Sequence, residues 1–135
     1  MIFVVLTLCS CAYALQAKNA NISEEFDKSV KRFNKMLRWR EVESAGIVYL
    51  DPELREIFMK TAQDFKERGV TITDYRVLTS ECLPEKGTGE AKVEFDFYTL
   101  PSNRIKTVTY QQKWVYLDTV DKKGWQLKIS LPDFE

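Results

Sequence analysis

Between Ala91 and Leu131 three segments alternate apolar and polar residues, the period of strands with one buried face. In the first, Ala91, Val93, Phe95, Phe97 and Thr99 share one side, and Lys92, Glu94, Asp96 and Tyr98 the other. In the last, Trp125, Leu127, Ile129 and Leu131 oppose Gln126, Lys128 and Ser130. Between them Lys106 to Leu117 is β-branched and aromatic in both phases, with Val108, Tyr110, Trp114 and Tyr116 in one phase. That pattern predicts the central strand of a curved sheet, covered by helices on one side and concave on the other.

The preceding residues change period. Ile22, Phe26, Val30, Phe33 and Leu37 recur every three or four positions, predicting a helix that starts near Asn21 or Ser23, where Asn21 and Glu24 have capping-box spacing. Its other side carries Lys28, Lys31, Arg32, Lys35 and Arg38, the composition of a solvated helix face, with an anion-binding ridge as the alternative reading. A second short helix is predicted over Trp39 to Tyr49, closing at Gly46. Asp51-Pro52-Glu53 starts a third, with Asp as N-cap and Pro in the first turn. Its buried stripe is Leu54, Ile57, Phe58, Thr61, Ala62 and Phe65, and Gly69 ends it. Val70 to Cys82 reads as a strand whose apolar phase switches, which a bulge near Asp74 reconciles. The expected class is α+β, with N-terminal helices on a curved antiparallel sheet of about four strands. Trp125 and Phe95 are expected on the buried sheet face, against Phe33 and Phe58.

Length and charge narrow this picture. At 135 residues the chain is long enough for one core without cross-links. Twenty basic and twenty acidic residues cancel, so no global field favours nucleic acid. The chain has no His, the commonest metal ligand and general base, and three Cys, so no Cys/His zinc site is expected. No cofactor is expected either.

No charge precedes Lys18, and Ile2 to Leu8 is apolar, as in a targeting segment. Two cleavage patterns fit, although no Lys or Arg follows Met1. Leu8-Cys9-Ser10-Cys11 resembles a bacterial lipobox, and Ala12-Tyr13-Ala14 fits ordinary signal peptidase. The lipobox reading is preferred: residues 1–10 as signal peptide, 11–20 as lipidated Cys11 and tether, and 21–135 as one α+β domain. In a Gram-negative cell, Ala12 rather than Asp after the Cys then points to the outer membrane, facing the periplasm, with the lipid as its membrane contact. Cys82 remains as an unmodified thiol, read as a small strand-end residue.

The element order resembles the nuclear transport factor 2-like superfamily of cone-shaped α+β barrels. The resemblance rests on the segment from Arg38-Trp39-Arg40 to Asp51-Pro52-Glu53-Leu54-Arg55, the Phe95/Phe97 strand and Gly124-Trp125-Gln126-Leu127, and spans Ile22 to Phe134. A cystatin-like fold is the nearest rival and normally uses one long helix. Small bacterial envelope lipoproteins share the superfamily pattern. Two functions stay open: the leading one rests on the concave aromatic sheet, the tether and the lack of His, metal spacing or a nucleophile–base pair, and the alternative is what the resemblance implies. In one, a non-catalytic module binds a partner protein or an apolar small molecule over Phe95, Phe97, Tyr110, Trp114, Tyr116 and Trp125, an arrangement compatible with a homodimer through the sheet. In the other, an isomerase- or cyclase-like enzyme uses Asp96 as base with Tyr98 or Tyr110 as donor in one hollow.

Overall fold

The computed structural model describes the backbone over residues 3–135 and the side chains over residues 11–135. The signal-peptide reading of residues 1–10 therefore lies outside the described side chains. Three helices precede four strands: α1 Phe3–Arg38, α2 Val42–Tyr49, α3 Pro52–Glu67, β1 Val70–Leu83, β2 Thr88–Thr99, β3 Lys106–Asp118 and β4 Lys123–Leu127. The strands form one curved antiparallel sheet in the order β1-β2-β3-β4, and the helices cover one of its faces.

Alternation decides which side of the sheet is covered. Gly89, Ala91, Val93, Phe95 and Phe97 of β2 are buried, as are Tyr110, Gln112 and Trp114 of β3. α1 presents the expected stripe, Ile22, Phe26, Val30, Phe33 and Leu37, all buried against these residues. Phe26 approaches β2 so closely that a Cβ on Gly89 would lie 2.5 Å from its ring, which explains a glycine at the start of this strand. Trp125 anchors β4 to α1 by donating from its indole to the Ile22 carbonyl at 3.0 Å.

Several boundaries differ from expectation. α1 does not begin at Asn21 or Ser23 but runs through the tether segment, because Ala12, Ala14, Leu15, Gln16, Ala17 and Lys18 favour helix and no Gly or Pro interrupts them. Asn21 is thus an exposed interior position rather than a cap. Trp39 lies in the turn between α1 and α2 and is exposed. Gly46 sits inside α2, where the Phe58 ring occupies the space of a Cβ, at 2.5 Å. It is a packing glycine and not a helix stop. Asp51 caps α3 as expected, accepting from the Glu53 amide at 3.1 Å. Ile57, however, is exposed. The register of β1 slips between Ile72 and Asp74, at the expected bulge, and again between Val77 and Thr79.

β4 ends at Leu127, not Leu131. The Lys128 amide still bonds to the Lys113 carbonyl at 2.8 Å, and its ammonium pairs with Asp51 at 2.7 Å. Beyond it the chain leaves the sheet, helped by Pro132, which has no amide donor. Phe134 then turns inward. Its ring meets Phe65, Phe95 and Phe97 at centroid distances of 5.2, 5.9 and 5.1 Å. The expected partners shift accordingly: Trp125 packs on Phe26 at 4.8 Å rather than on Phe33, and Phe95 packs on Tyr75, Tyr110 and Phe134.

Candidate functional site

The aromatics expected to line a hollow are mostly core. Phe95, Phe97, Tyr110, Trp114 and Trp125 are buried, and Tyr116 is half-buried against Trp125. Their polar ends are satisfied within the chain. Tyr110 donates to the Ile129 carbonyl at 3.3 Å and Trp114 to the Gln112 side chain at 3.3 Å. Burial raises the Tyr110 phenol above its ordinary range, so it stays protonated. Phe134 fills the space between α3 and the Phe95/Phe97 strand.

Asp96 and Tyr110 do not share a cavity. Asp96 projects from the solvent face of β2, where Arg76 grips it at 2.8 and 3.0 Å and Thr107 donates at 2.8 Å. Arg76 also holds Glu94 at 2.9 Å. The Arg76 hydrogen bonds, with that of Thr107, hold the Asp96 carboxyl down at about 2, and Asp96 and Glu94 raise the guanidinium in return. A carboxylate so stabilised is a poor general base near neutral pH. Tyr98 lies in the same outward phase, across from Thr71, whereas Tyr110 lies on the helix side. The register explains the separation: Val93 pairs with Tyr110, and Asp96 pairs with Thr107.

An apolar-walled opening lies elsewhere, where the α1–α2 turn, the end of α3 and the start of β1 converge. It is a cleft of about 530 Å³, within the size range of small-ligand sites. Val42, Ala62, Phe65, Val70 and Leu100 supply apolar walls. Arg40, Glu41, Glu43 and Lys66 give the rim both signs of charge. Arg40 is held in place by backbone geometry. It closes α1 with φ of 65°, its amide bonded to the Leu37 carbonyl and the Glu41 amide bonded to the Met36 carbonyl at 2.8 Å. This is a Schellman ending with arginine where glycine is preferred, at a cost of about 1 kcal/mol. The guanidinium reaches Thr71 on β1 at 3.4 Å, across the cleft. No sequence signal marked this site, because it combines the ends of separate elements.

A polar pair in the core also escaped the sequence reading. Asn34 and Gln112 are buried and exchange hydrogen bonds at 2.7 and 3.3 Å, and Asn34 also donates to the Val30 carbonyl. The signal existed: Gln112 shares the inward phase of Tyr110 and Trp114. Each group is satisfied, so the pair locks α1 to β3 rather than offering a reactive site.

Cys11 is exposed on α1. Cys82, at the end of β1, lies 4.0 Å from the Ser23 hydroxyl, and burial pushes its thiol pKa up. Among the described residues no group of three or more Cys, Asp or Glu is placed to hold a metal ion, and no helix is long and apolar enough to cross a membrane. No protein-family model matches the chain, and no curated protein does.

Proposed function

We propose that the chain is a non-catalytic envelope lipoprotein of the nuclear transport factor 2-like kind, which captures an apolar small molecule in the cleft beside Arg40. The observation that carries this reading is the cleft itself: about 530 Å³, apolar walls from separate elements, and a rim with two cations and two acids. Binding there needs no nucleophile or base. It moves the binding surface from the aromatic sheet to the open end of the helix-sheet layer. The proton-transfer alternative loses its support with Asp96 on the solvent face and held near pKa 2. Export and a lipid on Cys11 are supported by the uncharged leader and the Leu8-Cys9-Ser10-Cys11 run. The mass of the mature N-terminus tests that part, and a chain beginning at Leu15 would refute it.

Native mass spectrometry of the purified chain tests the cleft. The expected result is a small-molecule adduct that is retained in the wild type and at least tenfold depleted in Leu100→Asp. Leu100 is exposed, so the variant keeps the core. An adduct retained by Leu100→Asp, or no adduct after incubation with an envelope lipid extract, would sink the cleft reading.

A further inference from the structure

The chain is neutral overall, yet its cations are not evenly spread. From Lys28 to Arg40 it carries Lys28, Lys31, Arg32, Lys35, Arg38 and Arg40 and no acid. Lys28 is spoken for by Glu24 and Glu25 at 3.3 and 3.8 Å. Among the described residues the other five make no ion pair. Helical spacing brings Arg32 and Lys35 to one flank with Met36 and with Trp39 in the following turn. These four line a shallow depression together with Val48 and Tyr49 of α2.

Large apolar side chains stand exposed on the same flank. Trp39, Ile47 and Val48 are 63, 59 and 63 % exposed. Val48 joins this depression to a second one, where Ile47 faces Lys122 and Lys123 of the β3–β4 turn region. Only Glu41 and Asp121 bring negative charge to the two depressions. The Arg38 guanidinium lies over the Trp39 ring at 5.1 Å. An indole with cations around it and aliphatic residues alongside, on an open surface rather than in a pocket, suits the interface of a lipid layer: the ring and aliphatics enter the headgroup boundary while the cations meet phosphates.

We infer that the flank formed by Arg32, Lys35, Trp39, Ile47 and Val48 docks on an anionic membrane surface. The attraction is charge complementarity with acidic lipid headgroups, and the exposed apolar residues supply insertion. It adjoins the ligand cleft at Glu41 but uses other cations and apolar residues, and it does not require a lipid on Cys11. The neutral total charge matters here, because a uniformly basic protein would bind any polyanion, whereas this chain presents one basic apolar face.

Co-sedimentation of the full chain with vesicles of phosphatidylglycerol and phosphatidylcholine, against vesicles of phosphatidylcholine alone, tests the inference. Trp114 and Trp125 are buried, so a change at the protein surface is read from Trp39. The expected result is stronger binding to the acidic vesicles, reversed by salt, with a blue shift and lowered quencher access for Trp39. Arg32→Glu/Lys35→Glu is expected to lose at least tenfold in partitioning, and Trp39→Ala to lose the spectral change, with circular dichroism unchanged. Lys60→Glu, on α3, serves as the control and leaves binding intact. Insertion of the apolar N-terminal residues would raise binding to both vesicle types alike and cancels in the comparison. Equal binding to both vesicles, equal loss in the Lys60→Glu control, or acidic-vesicle binding with Trp39 still fully quenched would overturn the inference. The last outcome would indicate a charge-only surface for an acidic protein.

Discussion

Arg76 and Asp96 show how one side chain decides what another can do. Asp96 titrates near 2 instead of 3.8 because Arg76 and Thr107 bond to its charged form. The folded value lies below the unfolded one, so its contribution to stability is full above about pH 5 and disappears as pH falls through 4 toward 2. Both groups face solvent, so salt screens part of it. A carbon-detected NMR titration of Asp96 is expected to give a midpoint of about 2 in the wild type. In Arg76→Met it should return toward the ordinary aspartate value. An unchanged midpoint in that variant would show that Arg76 does not hold the carboxylate. Asp51 behaves similarly at the start of α3, where the Lys128 hydrogen bond and then the Glu53 amide lower its pKa.

Helices and strands differ in how far their sequences specify them. The α1 stripe, the Asp51-Pro52 start of α3 and the alternation of β2 were legible, because each rests on a period or cap within one segment. The role of Gly46 was not, since it depends on the Phe58 ring arriving from another helix. Nor was the distance between Asp96 and Tyr110: alternation placed Asp96 opposite Phe95 and Phe97, but the phase of Tyr110 is set by the β2–β3 register. The candidate cleft was invisible for the same reason, being made from the ends of several elements. The end of α1 offers a measurable case. Arg40→Gly relieves the left-handed backbone cost and is expected to raise stability by about 1 kcal/mol in a urea titration. If the guanidinium serves the cleft, the same variant loses bound ligand while gaining stability. A destabilised Arg40→Gly would mean that the Thr71 contact outweighs the backbone strain.

At the scale of the molecule, segments far apart in sequence complete the core. Ile22 receives the Trp125 indole, and Phe134 fills the space bounded by Phe65, Phe95 and Phe97. Arg68 secures that last segment by donating to the Phe134 carbonyl at 3.0 Å. Phe134→Ala is expected to destabilise by about 3 kcal/mol or more, as for a buried aromatic truncation. A loss below about 1 kcal/mol would mean that the segment only rests on the surface. Because Phe65 also lines the cleft, the variant is expected to enlarge the apolar space there, detectable as tighter binding of a small aromatic probe.

The contact between Trp125 and Ile22 also sets an order of events. Hairpins joining β1 to β2, β2 to β3 and β3 to β4 pair neighbours in sequence and can form early. The helix layer cannot be sealed until a residue 103 positions downstream of Ile22 has been made, and Phe134 comes later still. During synthesis the helix–sheet layer therefore stays open until β4 and Phe134 have emerged, and the early hairpins wait for them with one face uncovered.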